Sequence, residues 1–138
     1  MMAFRKFVFG GLTAIALAAP TVTNAARIQL GFVLDESGSI VPSEWSTIVN
    51  GLSSAINLIP VGGADAYYLS IVTFDDNATV RMSNQLVTAA NRATLAAQVA
   101  GYAQGAGFTN YEAAFAQMDA ALGVSTEYDF SYVNFATD

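Results

Sequence analysis

Seven residues, Ile28-Gln29-Leu30-Gly31-Phe32-Val33-Leu34, make a nearly unbroken apolar run that ends in the turn Asp35-Glu36-Ser37-Gly38-Ser39. A strand with one wet face alternates apolar and polar residues. A continuous apolar run bounded by turn chemistry is how a strand buried on both faces reads. This segment is therefore expected to be a central strand, with Asp35 at its solvent-facing end.

The segments that follow supply the covering layers. Pro42 suits a first helical turn, and apolar residues then recur at Trp45, Ile48, Val49, Leu52, Ala55, Ile56 and Ile59 with helical spacing, until Pro60 and Gly62-Gly63 stop the helix. Tyr67 to Phe74 is a β-branched and aromatic run, Asp75-Asp76-Asn77 is turn chemistry, and Ala78 to Met82 returns as a short strand at the sheet edge. Alanine-rich Thr88 to Ala100 predicts a second helix, and Gly101 to Gly107 is a glycine-containing loop. From Asn110, the stripe Ala114, Phe115, Met118, Ala121 and Leu122 predicts a third helix closed by Gly123, and Phe130 to Ala136 a fourth strand. Strand, helix, hairpin, helix, helix, strand is an α/β order. The expected fold is a doubly wound, Rossmann-like sheet, mostly parallel with one antiparallel edge strand and helices on both faces. In such sheets ligands bind beyond the carboxyl ends of the strands, and both Asp35 and Asp138 fall at such ends.

Composition narrows the chemistry. A chain of 138 residues with 54% hydrophobic and 12% charged residues has room for one domain and can fill its core. Arg5 and Lys6, the apolar residues 7–19, Pro20 and the small-residue segment at 23–26 read as a secretory signal peptide spanning 1–25, cleaved after Ala25. The apolar run is too short for the roughly 20 residues of a membrane span. The product is expected to be secreted or held in the periplasm or cell envelope, with residues 26–138 as one domain. Without the leader, three arginines face eleven acids, a net charge of −8. Such a surface repels nucleic acid. The chain has no cysteine and no histidine, so any metal must be held by oxygen.

Asp35, Ser37 and Ser39 alternate along a tight turn, which lets three oxygen side chains converge on one point while Gly38 allows the backbone to fold closely. Magnesium wants six oxygens at about 2.0–2.1 Å and commonly takes only one or two carboxylates. Taken alone, the turn could equally do no more than connect a strand to a helix.

These residues resemble the von Willebrand factor type A family. Its metal-ion-dependent adhesion site uses an Asp-x-Ser-x-Ser turn, a later threonine in a glycine-containing loop, and an aspartate after a further strand. Asp35-Glu36-Ser37-Gly38-Ser39 matches the first part, Gly107-Phe108-Thr109-Asn110 looks like the second, and Phe135-Ala136-Thr137-Asp138 looks like the third. The resemblance runs from about Ile28 to the last residue. It implies a metal set of Asp35, Ser37, Ser39, Thr109 and Asp138 around one magnesium or manganese ion. It further implies an open position for an Asp or Glu carboxylate from a protein partner, with no catalytic residues. The family continues with further strands and helices, so the domain is expected to be incomplete at its C-terminus. Thr109 could instead be only a helix N-cap.

Other residues have plainer expectations. Glu36 is expected to be a solvated surface group. Asp75 and Asp76 are expected to shape a hairpin turn or hold a second cation weakly, and Trp45, Tyr67 and Tyr68 to be core or half-buried. Two alternative functions stand beside the binding module. One is a magnesium-dependent phosphotransferase of the haloacid dehalogenase type, which wants a second aspartate where Ser37 stands. The other is a purely structural domain that binds no metal.

Overall fold

The computed structural model describes residues 25–138. The leader expected over residues 1–25 lies, apart from Ala25, outside the described residues. Strand β1 (Arg27–Asp35) pairs in parallel with β2 (Ala66–Phe74) on one side and with β4 (Phe130–Ala136) on the other. Strand β3 (Ala78–Leu86) returns antiparallel to β2, giving the order β3-β2-β1-β4. The apolar run is thus a central strand, and the antiparallel strand is an edge. Among the described residues the outer side of β4 pairs with no strand, and Phe130, Tyr132 and Val133 are about half exposed there.

Helix α1 (Pro42–Leu58) starts where Pro42 needs no amide partner and where Glu44 accepts the amide of Val41 at 3.1 Å. It buries Trp45, Val49, Leu52 and Ile56, one stripe spaced by three and four residues. With α2 (Arg92–Ala100) it covers one face of the sheet, packing around Leu34, Leu69 and Ile71. Helix α3 (Tyr111–Leu122) covers the other face through Ala114, Met118 and Ala121 against Val33, Val72 and Phe74. Full burial of each large aliphatic or aromatic side chain contributes about 1.5–3 kcal/mol, so the two faces together anchor β1 and β2 firmly. Gly31 lets α3 lie close: a Cβ there would stand 3.1 Å from Met118 Sδ and 3.2 Å from Val133 Cγ2.

Two boundaries differ from the sequence reading. The second helix begins at Arg92 rather than Thr88, because Thr88 and Asn91 close a turn of their own: the amide of Thr88 donates to Asn91 Oδ1 at 2.8 Å, and that of Asn91 to Thr88 Oγ1 at 3.2 Å. Strand β3 runs past Met82 to Leu86 through an irregularity at Asn84, whose φ is +45°. The Asn84 amide donates to Ser70 Oγ, and its side chain to the Leu122 carbonyl. Trp45 is buried, and Tyr67 and Tyr68 are half-buried, as expected.

Candidate metal centre

The parallel register decides what meets at the carboxyl end of the sheet. Asp35 closes β1 opposite Phe74 of β2, and because Leu34 pairs with Ala136 of β4, the next residue along β4, Thr137, comes beside Asp35. Asp35 Oδ2 accepts the Thr137 hydroxyl at 2.7 Å, and Oδ1 accepts the Ser37 amide at 2.9 Å. The carboxylate is fully buried, at 0% exposure, which corrects the expectation of a solvent-facing position. Tyr111, at the start of α3, meets Thr137 through its own hydroxyl and packs against Phe135 of β4. Among the described residues no cation pairs with Asp35. A buried carboxylate without a counter-charge is costly by several kcal/mol, so the pocket favours a cation beside it.

Three hydroxyls gather at the turn that follows Asp35. Ser37 Oγ is 3.1 Å from Ser39 Oγ and 3.1 Å from Thr109 Oγ1. Ser37 is itself 1% exposed, and its hydroxyl joins the other two in one cluster. The two loops that carry them are tied directly: the Gly38 amide donates to the Gly107 carbonyl at 2.9 Å, and Gln104 Nε2 to the Ile40 carbonyl at 2.6 Å. A cleft of about 270 Å³ opens between them, lined by residues 37–39 and 106–109. Neutral hydroxyls next to one buried carboxylate form a hard-oxygen donor set, which fits a small divalent cation and offers nothing to a soft one.

Thr109 is free for this cluster because the helix cap is provided by its neighbour: Asn110 Oδ1 accepts the Ala113 amide at 3.1 Å. Asp138 is exposed and takes part in none of the hydrogen bonds or ion pairs among the described residues; the contact at this strand end is made by Thr137. Thus Ser37, Ser39 and Thr109 come together, Asp35 backs them, and Asp138 stays outside the bonded cluster.

Glu36 does not face solvent. It is 5% exposed and pairs with Arg81 of β3, Nη2 to Oε2 at 3.3 Å, which overturns its reading as a solvated group. The Glu36 amide donates to the Phe74 carbonyl at 2.9 Å, continuing the β1–β2 ladder by one step and turning the side chain into the protein. Arg81 is also bonded to Thr73 Oγ1 at 2.8 Å and lies 5.4 Å from the centre of the Tyr102 ring. Burial pushes the Tyr102 hydroxyl above the ordinary tyrosine range, and the Arg81 charge pulls it back in part. Sequence reasoning missed Thr137, Arg81 and Gln104. Arg81 had one available signal, as one of only three basic residues beyond position 25.

A family model described as von Willebrand factor type A domain matches residues 29–127. A search of the curated proteins found no match. Among solved structures, proximal thread matrix protein 1 (PTMP1) from the mussel byssus is similar over 83% of this chain at 22% identity and a TM-score of 0.65. A second structure of that protein, with a zinc occupied MIDAS motif, is similar over 80% of this chain at 19% identity and a TM-score of 0.62. An uncharacterized membrane spanning protein from Vibrio fischeri is similar over 69% of this chain at 17% identity and a TM-score of 0.51. This chain covers 29% of the mussel protein and 48% of the Vibrio fischeri protein.

Proposed function

This chain belongs to the von Willebrand factor type A family, and on that footing we propose that it is a secreted, non-catalytic binding module. In this reading it holds one divalent cation at the carboxyl end of its sheet and uses it to bind a protein partner. The observation that carries the reading is the convergence of the Ser37, Ser39 and Thr109 hydroxyls beside a fully buried carboxylate that has no counter-ion among the described residues. Ser37, Ser39 and Thr109 would hold the ion through their hydroxyls, Asp35 would supply charge, and Asp138 would add a second carboxylate from the strand end. Bound there, a magnesium or manganese ion supplies a positive centre for an Asp or Glu carboxylate of the partner. The zinc occupied MIDAS motif of the mussel protein supports a divalent ion in this fold. The chain has neither histidine nor cysteine, so the ligands proposed for the ion are all oxygens.

Calorimetric titration of the domain with magnesium and with manganese is expected to give one ion per chain, each bound more tightly than calcium. Hydroxyl-rich sites with few carboxylates suit the smaller ions, and calcium binding as tight as magnesium binding would count against the donor set.

The leader belongs to the same proposal. Protein recovered from a secreting host should begin at Ala26, one residue before β1, or at Arg27 if cleavage falls one residue later, and N-terminal sequencing decides it. Intact Met1 in a membrane fraction would make residues 1–25 an anchor instead. Among the described residues no helix is long and apolar enough to cross a membrane.

A further inference from the structure

The loop that presents Thr109 is held from outside, by the tip of the β2–β3 hairpin. Asp76 Oδ1 accepts the Phe108 amide at 2.9 Å, Asp75 Oδ2 accepts the Gly107 amide at 3.4 Å, and the Asp75 carbonyl accepts the Asn110 amide at 2.9 Å. Asn110 Nδ2 donates back to the Asp76 carbonyl at 3.0 Å. Three backbone amides on residues flanking Thr109 are therefore anchored on two acids. The fit is tight as well: a Cβ on Gly107 would stand 2.5 Å from Asp76 Oδ2 and 2.9 Å from the Asp76 amide nitrogen, so no side chain larger than hydrogen fits between loop and turn. From there the order passes inward, since the Gly107 carbonyl accepts the Gly38 amide and the Thr109 hydroxyl reaches Ser37 Oγ.

We propose that Asp76 is a positioning residue: its carboxylate fixes the threonine loop against the metal turn and thereby sets the affinity of the site, without touching the ion. This rests on the cation-binding reading given above. The bond from the Phe108 amide to Asp76 Oδ1 ends one residue from Thr109, so its loss frees the backbone that aims the Thr109 hydroxyl. Supporting contacts of this kind around a metal are worth about 10- to 100-fold in affinity. Asp75 does shape the turn, its Oδ1 accepting the Asn77 amide, while Asp75 Oδ2 and Asp76 Oδ1 accept amides of the opposite loop.

The test compares wild type, D76A, D76N and G107A by manganese titration, by thermal unfolding in chelator, and by hydrogen exchange at the Phe108 amide in chelator. D76A is expected to bind manganese roughly tenfold more weakly and to exchange the Phe108 amide faster. D76N keeps an acceptor oxygen and is expected to stay close to wild type in both. G107A approaches from the other side, forcing the loop off an intact Asp76, and should reproduce the D76A loss. D76A and D76N should unfold close to wild type in chelator, because the turn is at the surface, whereas G107A, which has to displace the loop, should unfold at a lower temperature. D76A binding manganese like wild type overturns the proposal, and so does D76N falling as far as D76A, which would make the charge rather than the bond responsible. If wild type takes up no manganese, the cation reading falls with its affinity consequence, while the Phe108 exchange rates still decide whether Asp76 holds the loop.

Discussion

Asparagine at position 35 is expected to remove cation binding almost completely while leaving the metal-free domain as stable as wild type or more stable. Asp35 is fully buried, its oxygens accept one amide and one hydroxyl, and no cation pairs with it among the described residues. In the metal-free protein that charge costs free energy; with a divalent ion beside it the same charge becomes the main attraction. Asparagine keeps an acceptor for the Ser37 amide. Its NH2 group faces Thr137, whose hydroxyl can reverse its role and accept. D35N should therefore lower magnesium affinity by at least about 100-fold, or about 2.7 kcal/mol, and abolish the rise in melting temperature that magnesium gives the wild type. Melting curves in chelator and in excess magnesium, beside a calorimetric titration, read both halves. A D35N protein that unfolds in chelator would make Asp35 a structural cap, and one that binds magnesium normally would remove the carboxylate from the site.

The parts of this molecule visible in the sequence are those whose signal is local and periodic. The unbroken run before Asp35 marks β1, the three-and-four spacing from Trp45 to Ile56 marks α1, and Asp35-x-Ser37-x-Ser39 sits in one turn, so its convergence can be read from neighbouring residues. Strand β3 was legible only to Met82 because Ser83, Asn84 and Gln85 look like a loop; they stay in the sheet because Asn84 is held by Ser70 Oγ and the Leu122 carbonyl, neither of them close in sequence. The bond from Thr137 to Asp35 depends on β4 pairing with β1 in one particular register, which the sequence of β4 does not state. Glu36 was misread for a similar reason. A charged residue in a turn is normally wet, and its partner lies 45 residues away on an edge strand.

The Glu36–Arg81 pair carries the second large effect. Replacing Arg81 with methionine is expected to destabilise the domain by about 3 kcal/mol, because it leaves the Glu36 carboxylate, whose side chain is only 7% exposed, without its partner. Breaking a fully buried pair costs about 3–5 kcal/mol, and the lower end applies because the Arg81 side chain is 31% exposed and its closest approach to Glu36 is 3.3 Å. Methionine retains an apolar stem against the Tyr102 ring, so the loss reports the charge and the bond to Thr73 Oγ1 rather than the packing. For a domain of this size, 3 kcal/mol corresponds to a fall of roughly 10 °C in melting temperature. The single change E36Q should cost less, since Arg81 can turn toward water, and the double change E36Q/R81M should recover much of what R81M loses, because no unpaired charge then remains inside. Urea unfolding of the wild type, both single variants and the double variant measures this coupling directly. Because Glu36 stands between Asp35 and Ser37 in the chain, R81M should also loosen the turn and weaken magnesium binding, and the double variant should restore part of that affinity along with the stability. An R81M protein that melts within about 2 °C of wild type would show that Glu36 reaches solvent when its partner is gone, and that the pair does not hold the turn.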